Sequence, residues 1–341
     1  MRGLSTKAAF LCASGACALV YQTMWLRELR TVFGASTPAN AAVLAVFMAG
    51  LGVGSAIFGR RAQRSTTPLR LYAHLELGVA LSAAASPFLI DVTRALYLAI
   101  GGSSTLGSAG ATVVRLVLSV VALGVPALLM GGTFPAMARA SSHADPDSRK
   151  PLALLYGANT IGAVVGASAS TFALLEIYGV RKSLWIACAV NALVAVIARG
   201  VSRSEPPLAL DDVSGGVAAN EHATTTAADA TTTAMSRPAP RAFVLAAAFA
   251  TGFAFLLLEL VWYRLSAPLL GGSTYSFGLV LAVALFGVGA GGCLYAWLGP
   301  TRATIGGFAI TCALEAACVL VPYGFGDDIA RLAYFLRELG D

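Results

Sequence analysis

The chain has 341 residues, of which 57% are apolar and only 12% charged, with a mean hydropathy of +0.76. A soluble domain carries about 25% charged residues, so a water-soluble globular class is excluded. The net charge of +6 is no nucleic-acid footprint either, because the basic residues sit in short loops between apolar runs, as topology rules for membrane proteins require.

Apolar runs of about 20 residues recur along the chain, the length a helix needs to cross a bilayer. The sequence therefore predicts an all-α, polytopic transmembrane bundle of about nine helices. The first runs from Ala8 to Trp25, followed by Arg27, Glu28 and Arg30. Its Arg2, Lys7 and Ala16-Cys17-Ala18 imitate a secretory signal. A similar segment at Ala247–Leu260 lies mid-chain, so the first helix is read as structural.

The second helix, Ala39–Phe58, carries Gly50-x-x-x-Gly54, a spacing that lets a neighbouring helix approach closely. Arg60, Arg61, Arg64 and Arg70 then surround a turn, before a helix over Leu71–Ile90 that contains His74 and Glu76. A fourth is predicted over Leu116–Ala138 with bends at Pro126 and Pro135. Helices over Leu152–Ile177 and Ser183–Ala198 complete a first unit, residues 1–200. Residues 201–241, rich in Thr, Ala, Ser and Pro, have too little apolar surface to fold and predict a disordered linker. Helices over Ala242–Leu260, Tyr275–Leu298 and Ala303–Val321 form a second, three-helix unit (242–323), ahead of a short tail (324–341) with a candidate amphipathic helix over Asp328–Leu339.

The two units share a repeat. Residues 13–55 align without a gap on residues 250–292, with 15 identities in 43 positions. Among them are Trp25/Trp262, Arg27/Arg264, Gly34/Gly271 and the ladder Gly50, Gly52, Gly54 on Gly287, Gly289, Gly291. Alternating crossings from a cytoplasmic N-terminus place most basic residues on one side. On that topology both copies start in the same orientation, so the repeat is parallel, about an axis along the membrane normal.

Ionisable groups at membrane depth are costly and are functional candidates. Glu76, Glu176, Glu259 and Glu315 qualify; Leu75-Glu76-Leu77 also corresponds to Leu314-Glu315-Ala316. The functional reading is a cation or proton site near the repeat axis, and the alternative is a structural ion pair or hydrogen bond. Tyr156 and Asn159 are candidate substrate contacts in a stretch whose glycines at 157, 162 and 166 equally suit close helix packing. Trp25 with Arg27, and Trp262 with Arg264, are candidates for a paired structural or gating role, against plain anchoring at the membrane interface. The six cysteines show no metal spacing and read as small buried hydrophobes. No P-loop, dinucleotide loop, HExxH or GxSxG pattern occurs in a suitable context, so neither cofactor nor metal is expected.

Several stretches together resemble the membrane half of bacterial fused transporter-like/spermidine synthase proteins. They are Tyr21-Gln22-Thr23-Met24-Trp25-Leu26-Arg27, Leu71-Tyr72-Ala73-His74-Leu75-Glu76-Leu77-Gly78, Met130-Gly131-Gly132-Thr133-Phe134-Pro135, Leu155-Tyr156-Gly157-Ala158-Asn159-Thr160 and Leu258-Glu259-Leu260-Val261-Trp262-Tyr263-Arg264. The resemblance implies a bacterial inner-membrane protein concerned with polyamines. Two departures matter: that family carries a glutamate where Gln22 stands, and its members continue into an aminopropyltransferase domain with a Gly-rich nucleoside-binding loop, of which these 341 residues hold no trace. The expectation is a non-enzymatic membrane module that binds or transports a small cationic metabolite such as a polyamine. The alternatives are an anchor for a separately encoded synthase, and a truncated structural remnant. Its expected partners are the lipid bilayer and that cation or synthase, with no nucleic acid.

Overall fold

The computed structural model describes residues 2–34, 36–141, 150–208, 240–270, 274–298 and 305–326, with a few isolated positions beyond them. Every regular element among the described residues is helical. In chain order they are α1 (Arg2–Phe33), α2 (Thr37–Gln63), α3 (Pro68–Ala99), α4 (Gly102–Gly131), α5 (Thr133–Ala140), α6 (Lys150–Ala169), a π turn (Ser170–Leu174), α7 (Leu175–Ser204), α8 (Arg241–Leu270), α9 (Thr274–Leu298) and α10 (Ile305–Gly324).

Among the described residues, seven continuous helical runs are long and apolar enough to cross a membrane, and Ile305–Val321 adds a shorter apolar one. The longest, Pro151–Ser204, has 54 residues, about 80 Å at 1.5 Å per residue, far more than one crossing of a ~30 Å hydrocarbon core. It is broken at Gly179, whose φ of 69° is left-handed and which an L-residue would adopt only with strain. The Ser183 hydroxyl donates to the carbonyls of Leu174 and Gly179 and satisfies acceptors freed by the break. The nine-helix expectation treats the arms on either side of this break as separate helices.

Helix ends follow local chemistry. Gly34 (φ 85°) closes α1 through its N–H to the Arg30 carbonyl, and Gly101 (φ 86°) separates α3 from α4. Pro38 and Pro68 open α2 and α3, where a missing N–H costs nothing. Two expectations change in the third and fourth helices. The third extends to Ala99 and the fourth begins at Gly102, not Leu116, with an internal break at Gly107. Its far end divides at Gly132 into α4 and α5, with Pro126 inside α4 and Pro135 in the first turn of α5.

By contacts the chain falls into two compact units: Met1–Thr226 with Leu281–Ala296, and Ala227–Val280 with Trp297–Asp341. In the first unit glycines set the closest crossings. A Cβ on Gly162 or Gly166 of α6 would strike the Cys12 or Ala16 carbonyl of α1, so those backbones touch. Gly54 of α2 meets Leu128 of α4, and Gly131 of α4 meets Leu51 of α2, in the same manner. Both pairs run parallel: Gly162 and Gly166 lie on Cys12 and Ala16, and Gly50 and Gly59 of α2 lie beside Ala127 of α4 and Pro135 of α5. α3 and α7 run antiparallel, from His74 beside Arg199 to Asp91 beside Arg181.

One end of this unit is tied together by Lys7. Its ammonium donates to the Ala140 carbonyl at 2.7 Å and pairs with Glu205 at 2.9 Å. Leu208 N–H reaches the Thr66 carbonyl, so residues just past α7 lie against the α2–α3 turn. The opposite end carries the Arg181–Asp91 pair, in which one guanidinium nitrogen donates to both carboxylate oxygens, and the looser Arg94–Glu28 contact. A core of Phe10, Leu11, Tyr72, Leu75, Met137, Leu155 and Val194 joins α1, α3, α5, α6 and α7. The expected linker lies outside the described residues over 209–239, while α7 continues helical through Ser204. The candidate tail helix over Asp328–Leu339 also lies outside them, apart from isolated positions.

Candidate functional site

Glu76 is the most deeply enclosed of the ionisable sequence candidates. It projects from α3 into the first unit with no exposed surface. Asn191 of α7 donates from Nδ2 to Glu76 Oε2 at 2.7 Å and, more weakly, to the Glu76 backbone carbonyl at 3.3 Å. The Ser14 and Tyr72 hydroxyls also face this carboxyl group, and Tyr72 Oη donates to the Phe10 carbonyl. Glu76 Oε1 has no partner of its own. A half-satisfied carboxyl group in a low-dielectric interior is expensive, which marks the spot as one the fold maintains against a cost.

Asn191 was legible as a lone polar residue in the apolar run Ser183–Ala198, although the sequence argument did not single it out. Only the antiparallel packing of α7 on α3 brings it to Glu76. One and two turns of α1 away from Ser14, Cys17 and Tyr21 are buried among the same helices, and Gln22, where the resembled family has glutamate, is buried with an unpartnered Nε2.

The other candidates disperse. Asn159 lies where α6 crosses α1: a Cβ on Gly15 would meet its backbone carbonyl and its Oδ1, so it belongs to a helix-packing contact. Tyr156, 46% exposed, packs edge-on to Phe134 at 6.1 Å and lies beside Gly292 of α9. Glu176 is exposed near the break at Gly179, where a carboxylate needs no intramembrane partner.

In the second unit Glu259 of α8 is buried and its Oε1 is unpartnered. Glu315 of α10 is exposed and lines an apolar groove with Ala247, Thr251, Leu258 and Phe308; Glu259 is not part of that lining. The groove has a volume of about 690 Å³.

Trp25 corrects the interfacial-anchor alternative. It is completely buried, stacked on Tyr21 at 5.4 Å and edge-on to Phe47 at 6.2 Å, and its indole N–H donates to Ser86 Oγ at 2.7 Å. This is a helix-joining residue, not a belt residue. Arg27 is half-buried, Trp262 is half-buried and Arg264 is exposed, so the two Trp-x-Arg copies do not share one environment. Trp25→Phe removes the bond to Ser86 while keeping most of the ring volume; it is expected to cost about 1–2 kcal/mol, read as a lower Tm of the detergent-solubilised chain. Trp262→Phe is expected to leave Tm nearly unchanged.

The first unit also contains a cavity of about 280 Å³ at its Lys7 end, lined by Lys7, Thr66, Thr67, Ser202 and Glu205. The Lys7–Glu205 pair already neutralises the charge there. No family model, curated protein or solved structure matches the chain. The apolar, membrane-length helices therefore carry the identification by themselves: this is an integral, multi-pass membrane protein.

Proposed function

We propose that this membrane protein binds or moves a small cationic metabolite, of which a polyamine is the example the sequence resemblance suggests. The observation that carries this reading is Glu76, a carboxyl group without solvent exposure in an apolar helix, held at one oxygen by Asn191 and unpartnered at the other. A primary ammonium is a compact triple donor and matches what Oε1 lacks. Buried tyrosines beside it, Tyr72 and Tyr21, offer aromatic faces of the kind that attract cations.

The parallel repeat belongs to the same proposal, with α1–α2 and α8–α9 as its equivalent helix pairs. What supports it is the gapless alignment of residues 13–55 on residues 250–292. On this reading Glu76 and Glu315 occupy corresponding places in the two copies, and the N-terminus lies on the cytoplasmic side of a bacterial inner membrane with the Arg60–Arg70 loop.

The second reading, a membrane anchor for a separately encoded synthase, is favoured by how tightly Glu76 is enclosed, since an anchor needs no path to it. Binding of radiolabelled spermidine or putrescine to the purified chain in neutral detergent separates the two. Saturable binding, weakened about 10- to 100-fold in Glu76→Gln by loss of a charge-assisted contact, is the expected result. No saturable binding by a monodisperse parent chain sinks the cation reading and leaves the anchor. Glu315→Gln tests the repeat: an effect matching that of Glu76→Gln supports paired sites, and no effect removes Glu315 from the site.

A further inference from the structure

Arg115 of α4 is buried to 8% exposure, eight residues past the break at Gly107 and inside the apolar run Ser104–Ala140. Its guanidinium lies over the Tyr97 ring of α3, 6.0 Å from the centroid, and its Nε has no hydrogen-bond partner. No carboxylate pairs with it among the described residues. A buried guanidinium cannot relieve this by losing its proton, because arginine stays charged in proteins.

The groups around Arg115 are also unsatisfied. Tyr97 Oη and, one turn earlier on the same face of α3, Thr93 Oγ1 are buried without partners. So is Ser119 Oγ, one turn after Arg115 on α4. Tyr97 meets Arg115, and consecutive helices joined by the short Ile100–Gly101 connection run antiparallel. A turn back along α3 and a turn forward along α4 therefore bring Thr93 level with Ser119.

Six buried hydroxyls among the described residues lack a partner; three of them, Thr93, Tyr97 and Ser119, belong to this seam, and the others are Tyr21, Ser141 and Thr171. Thr23, Ser82, Thr112, Thr133, Thr160 and Ser170 all donate to a carbonyl of their own helical turn. Thr93 and Ser119 do not. Three hydroxyl groups and a guanidinium without a counter-ion, converging on the α3–α4 seam, leave an excess of donors and a full positive charge.

We infer that the α3–α4 seam around Arg115, Tyr97, Thr93 and Ser119 is a binding site for an oxyanion, a carboxylate or phosphate group. The planar guanidinium presents paired N–H donors that match either group. The hydroxyls supply further donors, and the anion's charge offsets that of Arg115. The site is separate from Glu76 in both position and charge preference, so it does not rest on the cation reading.

The test uses the full chain, purified in neutral detergent, with Tm followed at constant ionic strength during titration with sodium phosphate, sodium acetate or short-chain phosphatidic acid against sodium chloride. A saturable rise in Tm with at least one of the three oxyanions, and none with chloride, is expected. A response to inorganic phosphate or acetate assigns a soluble ligand, and a response to phosphatidic acid alone assigns a lipid headgroup. Arg115→Gln is expected to weaken the midpoint about 10- to 100-fold. Should Arg115→Gln fail to fold, Tyr97→Phe and Thr93→Val provide the second reading, with the midpoint raised several-fold and the charge retained. The inference is overturned if none of the oxyanions shifts Tm saturably in the folded parent chain. Shifts that Tyr97→Phe and Thr93→Val leave unaltered would also overturn it, because they would place the anion elsewhere.

Discussion

Gly162→Val is expected to remove most of the folded protein. A Cβ at this position would fall on the Cys12 carbonyl group, and the next glycine on the same face, Gly166, meets the Ala16 carbonyl in the same way. The obstacle is main chain on both sides, so no rotamer change relieves it, and α1 and α6 must separate along the whole crossing. Overpacking in an accommodating core costs about 1–3 kcal/mol, and more where the backbone must move. A membrane protein of ordinary marginal stability has little margin for such a loss. The check is the monodisperse fraction on size-exclusion chromatography together with Tm. Gly252→Ala is the control: nothing lies within 4 Å of a Cβ built there, and its folded yield is expected to match the parent's. Equal yields for Gly162→Val and Gly252→Ala would refute the α1–α6 contact.

Asn191→Leu is the second large effect. It deletes the donor to Glu76 Oε2 and leaves both oxygens of a fully buried carboxyl group without the Asn191 amide. Stranding a buried polar group costs about 1–3 kcal/mol, more for a charged one, whereas replacing both partners by apolar groups is close to neutral. Tm is therefore expected to fall clearly in Asn191→Leu and to recover most of the way in the Glu76→Met, Asn191→Leu double variant. The coupling energy from the full double-mutant cycle measures the pair directly. Additive effects in that cycle would show that the two side chains do not depend on one another.

These two predictions draw on different levels of information. Gly162 and Gly166 already stood out as a small-residue face in the sequence, although nothing there said that α1 would be the helix to meet it. Glu76 stood out because a carboxyl group in an apolar run has few innocent explanations. Asn191 was just as visible, yet a lone amide can bond to any neighbouring helix and points to no particular one. Trp25 shows the opposite failure. Its place near the end of the predicted helix Ala8–Trp25 suggested an interfacial ring, but α1 continues to Phe33 and carries the indole into the bundle beside Ser86. Arg115 was missed for the same reason. A helix predicted from Leu116 left it in a loop, and the actual start of α4 at Gly102 makes it intrahelical.

What the sequence by itself determined is the solvent and the elements. Apolar runs of membrane length with few charges must satisfy their backbone groups internally, and helices do this locally, whichever neighbours they acquire. Glycines with φ near 85° and prolines in the first turn then set helix ends from within a few residues. Tertiary structure alone decided which face of each helix is inside. A helix apolar nearly all round has no polar stripe to orient it, so the choice falls to close packing at Gly54, Gly131, Gly162 and Gly166. That packing brings Asn191 to Glu76 and Trp25 to Ser86 across 115 and 61 residues, and Arg115 to Tyr97 of the preceding helix.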